Sequence, residues 1–456
     1  MFKDRTDLLP DNPRQLNYGV AVTDLDGDGE NEFYVASYFA GNAALKWDGK
    51  RYVDIADEML ADTGRQAIGV AAGDLDGDGR EEIYVLNTDT FAGRKQVADR
   101  LLRYSNGRWR DLFTFPENRD ALNLTAGRSV VCVDRTGRGH YSFFVANYGG
   151  PMRCYELDEN GFLADVAPYI GLAYITGGRS LVSLPLVSDR MDIFAGNEGG
   201  PNLLFHNQGN GKYLEVGQDF GIMDRHEHAR GVAVLDANDD GRFDLAVGNW
   251  EGCHRLFVQT DSGPFEDVAP PEMAAPSPVR TVIAADFDND GCEELFFNNI
   301  GVPNRLFGRR NGAWISIPIG DASEPYGLGT GAAVADLDGD GRLEVLIAHG
   351  ESGFQPLCLY RCAANDNHWL RVFPRTVHGA PARGAVVSLH TQIGRQIRCI
   401  DAGSGYLCQM EPVAHFGLGR GDRVDRVEVR WPDGVTQTIL NPTVDRVLTV
   451  DHPRAG

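Results

Sequence analysis

The chain has 456 residues, and 65 Asp+Glu against 43 Lys+Arg give a formal charge of −22. That anionic excess excludes a nucleic-acid binder, which needs cations to displace phosphate counterions. No run of about 18 apolar residues is present to make a membrane-spanning helix, and the start MFKDRTDLLP has neither the basic segment nor the apolar stretch of a signal peptide.

Read in chain order, the sequence repeats itself about every 50 residues. The centre of each unit is an acidic loop: DLDGDGENE from Asp24, DLDGDGREE from Asp74, DANDDGRFD from Asp236, DFDNDGCEE from Asp286 and DLDGDGRLE from Asp336. Between the second and third lie two weaker copies. DRTGRGHYS from Asp134 keeps glycines but loses acids, and the stretch from Ser183 to Asp192 has lost the loop, so the units number seven.

Before each loop runs a small/apolar alternation such as GVAVTD, GVAAGD or TVIAAD, and after it a continuous apolar run such as FYVAS, IYVLN or LFFNN. The first pattern reads as a strand and the second as a strand buried on both faces. A third strand (LLRY, LLFH, RLFV) and a fourth (YVDI, YLEV, FEDV) complete each unit. Four short strands per repeat without helices predict an all-β fold, a seven-bladed β-propeller over residues 1–365. The seventh unit lacks its fourth strand, and Phe2-Lys3-Asp4 has the outer-strand pattern. The N-terminus is therefore expected to close the ring, leaving no long open edge.

Residues 366–456 have no acidic loop and show strands at WLRVF, AVVSLHT, RQIRCID, VDRVEVRW, TQTIL and RVLTV. A small β-sandwich or open barrel is expected, with Asp433-Gly434 as a two-residue hairpin turn.

The loop spacing D-x-D-x-D-G-x-x-E/D places oxygen donors at positions one, three, five and nine and a backbone carbonyl at seven. That arrangement suits Ca²⁺, with the glycine at six permitting the sharp turn. The five sites would be Asp24, Asp26, Asp28, Glu30 and Glu32; Asp74, Asp76, Asp78, Arg80 and Glu82; Asp236, Asn238, Asp240, Arg242 and Asp244; Asp286, Asp288, Asp290, Cys292 and Glu294; and Asp336, Asp338, Asp340, Arg342 and Glu344. Position seven contributes only its carbonyl. An EF-hand is excluded, because position twelve is Val35 or Val85 and strands flank the loop. Asp and Gly also make ordinary turns, but five copies in one register exceed what a turn requires. Asn238 leaves the site from Asp236 one charge poorer. Sites of this class favour a secreted, extracellular or periplasmic protein, where free calcium is high.

Six residues before the first Asp of a loop stand Tyr18, Ile68, Arg128, Arg230, Arg280 and Thr330, and matching GGRSLVSL to AGRSVVCV adds Arg179 in the fourth unit; these positions are expected at one height around the ring. Arg128, Arg179, Arg230 and Arg280 either pair with neighbouring carboxylates or line an anion-binding central channel. His206, His226, His228, His254 and His349 fall at blade ends, and His226-Glu227-His228 either lies in a surface loop or offers two metal donors on alternate strand positions. No G-x-S-x-G, H-E-x-x-H or P-loop is present. Arg420-Gly421-Asp422 in a glycine-rich turn and the formal glycosylation acceptor Asn123-Leu124-Thr125 are weaker signals. Eight cysteines are too sparse for a disulfide scaffold. Cys399 with Cys408, and Cys358 with Cys362, are placed either to bond or to remain buried thiols.

The blades resemble the FG-GAP/VCBS repeats of integrin α-type propellers. The tail, with AlaArgGlyAlaVal (382–386), GlySerGlyTyrLeu (403–407), HisPheGlyLeuGly (415–419) and TrpProAspGly (431–434), resembles the ASPIC/UnbV domain. Together with LNYGVAVTDLDGDG, SPVRTVIAADFDNDG and MEPVAHFGLG, the chain is similar to the cartilage acidic protein 1 family over nearly its whole length. The resemblance implies a secreted, calcium-binding, non-enzymatic protein of extracellular matrix or cell-surface interaction; for the chain itself a protein or glycan partner, no nucleic acid, no membrane insertion and a monomeric state are expected. The alternative is a propeller hydrolase or lyase using the arginine-lined channel on an anionic substrate.

Overall fold

A computed structural model describes residues 1–392 and 394–455. Its strand pairing gives seven four-stranded antiparallel units, and each inner strand packs on its neighbours, the first on the seventh, so the ring closes. The inner strands are Asn17–Thr23, Ala67–Gly73, Gly127–Val133, Ile175–Leu184, Ala229–Leu235, Val279–Ala285 and Gly329–Ala335. The second strands, such as Glu32–Ser37 and Glu294–Asn299, are buried along their whole length, which accounts for their unbroken apolar runs. No helix is long and apolar enough to cross a membrane among the described residues.

Phe2–Asp4 is the outer strand of the seventh blade, with Phe2 opposite Cys362 and Asp4 opposite Tyr360. Phe2 anchors it: the ring is fully buried, edge-on to Phe287 at 4.9 Å and to Phe296 at 5.8 Å.

In the tail, Gly394–Cys399, Val386–Thr391, Arg426–Arg430 and Thr436–Leu440 form one sheet. Ala414–Gly419, His368–Pro374 and Val447–Val450 form a second, and the last pair is parallel. A shared apolar core around Phe416, Val427 and Trp431 lies between them, as in a sandwich. The hairpin at Asp433-Gly434 differs from expectation. Trp431 N donates to Val435 O at 2.9 Å, so three residues turn the chain, with Gly434 at φ +84° supplying the left-handed position.

The tail does not stand apart from the ring. Residues 402–411 enter the central channel and bond to the inner strands: Cys132 N to Ala402 O at 2.9 Å, Val70 N to Leu407 O at 3.2 Å, Val22 N to Gln409 O at 3.1 Å. Glycines on both sides of the contact, in the inner strands and in the tail segment, make this approach possible. A Cβ on Gly19 would lie 2.3 Å from Leu407 O, and one on Gly405 (φ +59°) 2.3 Å from Val232 N.

Candidate metal centres and the filled channel

Each acidic loop joins an inner strand to the second strand, and its first Asp organises the turn. Asp24 accepts from Gly27 N at 2.6 Å and Gly29 N at 2.9 Å, and Asp74 does the same with Gly77 and Gly79. Asp236, Asp286 and Asp336 accept from the amides four and five residues on. The amides of Glu30, Arg80, Arg242, Cys292 and Arg342 donate to the acid at position five. At position nine, one oxygen of Glu32 accepts from Leu25 N at 2.6 Å, while its buried Oε1 makes no hydrogen bond and faces the Lys46 ammonium at 3.6 Å; Glu344 Oε1 is buried against the Arg361 guanidinium.

Four of the five loops bring three carboxylates to within 4.8 Å of one another: Asp24, Asp26 and Glu32; Asp74, Asp76 and Asp78; Asp286, Asp288 and Asp290; Asp336, Asp338 and Asp340. These groups could hold a metal ion. The loop from Asp236, where Asn238 takes the place of an acid, does not form such a trio among the described residues.

The electrostatics fit a cation. Burial, followed by the crowding of neighbouring acids, pushes the Glu32 carboxyl up to about 8 and Glu294 up to about 10. Burial leads again at Asp74 and Asp244, each raised to about 7, and holds Glu82 and Glu344 well above the usual carboxylate range.

The sequence reading missed a set of basic residues over these loops. Lys46 on the third strand of blade one bridges Asp26, Asp28 (2.5 Å) and Glu32 (3.6 Å). At the same strand position Arg103 meets Asp76 at 3.2 Å, and Arg361 contacts Asp338, Asp340 and Glu344. In blade six Arg310 reaches Asp288, Asp290 and Glu294. Blade five has Val258 at the strand position of Lys46, although Arg242 folds back onto Asp240 at 2.5 Å. The signal was one basic residue after a leucine in LKW and LRY, too sparse to register as a motif.

The four channel arginines are engaged. Glu198 pairs with Arg179 and, at 3.1 Å, with Arg230, while Arg280 pairs with Glu351. Arg128 donates to the carbonyls of Thr90 and Phe91 and stacks on the Phe91 ring. Among them sits Tyr406, the tip of the tail segment; burial opposes its ionisation, but Arg280, Arg179, Arg230 and Arg128 outweigh burial and hold the phenol below its usual range. Tyr18 belongs to the same surroundings through Tyr406 and Glu351, and Thr330 Oγ1 donates to Asn17 O at 2.6 Å. Ile68 is buried in the core.

Other candidates resolve as follows. His226 and Glu227 lie in a turn rather than a strand, because Asp224 adopts φ +38° just before them, and His228 Nδ1 accepts from Gly199 N. No metal-type cluster includes them among the described residues. His254 is buried between Asn249 N and Ser277 Oγ, and burial pushes it down to about 3. His206 approaches Asp192 at 3.2 Å. Asn123 is fully buried and donates to Asp99 and Asn147, so it is no glycosylation acceptor in the folded chain. Arg420, Gly421 and Asp422 are exposed, with Arg420 on Asp366 at 2.9 Å. All eight cysteines are free thiols, so neither Cys399 with Cys408 nor Cys358 with Cys362 is bonded.

Comparison with known proteins adds the family. The FG-GAP-like repeat pattern matches residues 24–85, 189–247, 236–297 and 286–347, and the ASPIC and UnbV pattern matches 376–456. Cartilage acidic protein 1 of Xenopus tropicalis is 48% identical, with 99% of this chain aligned to 77% of that protein. For Cartilage acidic protein 1 of Homo sapiens the values are 48%, 98% and 74%. The BP39L lectin from Burkholderia pseudomallei superposes over 77% of this chain and 98% of its own with a TM-score of 0.51 at 14% identity, a likeness of fold alone.

Proposed function

The chain belongs to the cartilage acidic protein 1 family, and we propose that it is a non-enzymatic, calcium-stiffened propeller that presents one face to a protein or glycan partner outside the cell or in a periplasm. Ca²⁺ would be held at up to five loops, by Asp24, Asp26, Asp28 and Glu32 and their counterparts. When bound, the ion supplies counter-charge and rigidity; the chain's own residues set the turns and orient the carboxylates. The observation that carries the metal reading is the convergence of three carboxylates to within 4.8 Å of one another in four of the five loops, with the buried Glu32 Oε1 making no hydrogen bond and meeting a single ammonium at 3.6 Å, because crowded, buried carboxylate oxygens need a cation or a donor.

The tail covers the loop face, as where a Cβ on Gly341 would meet the Trp369 ring. The opposite face carries the arginine ends and exposed aromatics: Phe39, Phe91 and Phe354 at 62% and Tyr326 at 84% exposure. Aromatic and Arg side chains are what interfaces enrich. A hydrolase or lyase would need room among the arginines, where Tyr406 sits and carboxylates already pair three of them.

The test is a glycan array and an extracellular protein panel probed with the parent, with Phe91→Ala/Phe354→Ala and with Arg230→Ala, each in calcium and in EGTA. A ligand lost in the aromatic variant supports the platform. Turnover of a bound substrate, abolished by Arg230→Ala, would replace it with the enzyme reading.

A further inference from the structure

Blades two, five and seven share a backbone device on the face opposite the acidic loops. Five residues before the inner strand, a carboxylate-bearing residue takes a left-handed conformation: Asp62 at φ +39°, Asp224 at φ +38° and Glu324 at φ +39°. In blades two and five this carboxylate is neutralised by the first residue of the third strand, Arg100 on Asp62 at 2.7 Å and Arg255 on Asp224 at 3.0 Å. In blade seven that strand begins with Cys358, so the guanidinium is replaced by a thiol. The last residue of the second strand changes with it: Asn87 and Asn249 in blades two and five, His349 in blade seven.

The three blade-seven side chains converge. A carboxylate oxygen of Glu324, a ring nitrogen of His349 and Cys358 Sγ lie within 4.8 Å of one another. A tetrahedral ion with bonds of about 2.0–2.3 Å needs roughly 3.3–3.8 Å between ligands, and His349 Nε2 to Glu324 Oε2 is 3.1 Å. The surroundings orient each ligand. His349 Nδ1 faces the Pro356 carbonyl at 2.8 Å, which can only accept, so Nδ1 carries the hydrogen and Nε2 turns towards Glu324. Tyr360 OH donates to the other Glu324 oxygen at 2.6 Å, leaving Oε2 on the histidine side. The Cys358 thiol bonds to the same carboxylate and Asn304 Nδ2 donates to Oε2 at 3.4 Å, so thiol, imidazole and carboxylate meet at one point that a single cation could share. A carbonyl on the histidine's far nitrogen and a hydroxyl on the carboxylate are the outer contacts that metal ligands carry.

We infer that blade seven replaces the Arg–Asp pair of its sister blades with a Zn²⁺ ion held by Cys358, His349 and Glu324, with solvent as the fourth ligand. Sulfur, nitrogen and oxygen together select a borderline-soft ion, whereas the acidic loops offer oxygen alone. The ion would tie the connection entering the blade to its second and third strands, beside the N-terminal strand that pairs with Cys358–Cys362. This inference is independent of the calcium reading.

The full chain, kept in excess calcium, is titrated with Co²⁺ as a spectroscopic stand-in and with Zn²⁺ by calorimetry. One equivalent of each is expected, with a thiolate-to-cobalt charge-transfer band that Zn²⁺ displaces. Cys358→Arg restores the ion pair of blades two and five, so it is expected to fold without zinc, lose the band and melt identically with and without a zinc chelator. No band in the folded parent, or a band that persists in Cys358→Arg, would overturn the site.

Discussion

Arg383 of the tail and Glu81 of blade two, 302 residues apart in sequence, form a bidentate pair at 2.5 and 3.0 Å in which both side chains are almost wholly buried. The guanidinium also donates to the carbonyls of Val22, Asp401 and Met410, and Glu81 accepts from Thr23 Oγ1 at 2.7 Å. Removing one partner strands the other in a dry interface, so Arg383→Met is expected to cost about 3–5 kcal/mol. The double variant Arg383→Met/Glu81→Met should recover much of that loss, because no charge is left uncompensated. Urea denaturation of the three proteins measures it; a double variant no better than the single would show that packing, not charge, holds the tail.

Lys46 and a bound ion would compete for Asp26, Asp28 and Glu32. In EGTA the ammonium is the counter-charge of that loop, so Lys46→Met should lower the melting temperature, by about 1 kcal/mol of stability for this partly exposed contact. In millimolar calcium the same substitution should leave the melt unchanged or raise it, since a repelling charge is gone. Equal losses in both buffers would separate the lysine from the ion site.

Loop protonation sets a second crossing. In the metal-free fold Glu32 sits at about 8, Asp74 at about 7 and Asp286 at about 7, chiefly from burial, against ordinary values of 4.5 and 3.8. Across that interval the folded state holds more protons than the unfolded chain, so stability is greatest at the acid end and is lost as pH rises through the folded values. Melts in EGTA should therefore rise between about pH 8 and pH 5. In calcium the trend should reverse, because protons displace the ion from its ligands. Parallel pH profiles in the two buffers would contradict this.

The N-terminal strand makes a local prediction. Phe2 is wholly buried against Phe287 and Phe296, so Phe2→Ala should cost about 3–5 kcal/mol. The loss should appear first as faster hydrogen exchange at Cys358–Cys362, the strand it pairs with, while Tyr52–Asp54 of blade one keeps its protection.

What could be read from the sequence was what is local or periodic. Each set of loop acids falls within nine residues, and the missing fourth strand of the last unit pointed to Phe2. The tail's entry into the channel leaves no such trace. Ser129 Oγ reaches Gly405 O across 276 residues, and Gln409 Nε2 reaches Ala72 O across 337. Its one local sign, the glycine opening GVAV, also fits any small-residue strand; only the three-dimensional contact shows that Gly19 is small because Leu407 passes beside it. The blade-seven thiol was visible as Cys358, but its carboxylate and imidazole arrive from other segments. The arginines were predicted at one height, whereas their partners, Glu198 and Glu351, carry no recurring spacing.

Tyr406 is the part of the tail that decides how those arginines behave. Its ring lies in a shell that includes Arg280 at 5.9 Å from the ring centre, and the four guanidiniums lower the phenol's ionisation despite burial. Tyr406→Ala removes a large buried ring, expected to cost about 3–5 kcal/mol, and leaves four cations around a hole with only Glu198 and Glu351 to offset them. That surplus should draw an anion: sulfate should raise the melting temperature of Tyr406→Ala well beyond its effect on the parent, and chloride at equal ionic strength should do less. Tyr406→Phe, which keeps the packing, should melt near the parent and show no special response to sulfate. An equal sulfate shift in all three proteins would mean that the carboxylates already neutralise the ring and that the tyrosine serves only to fill space.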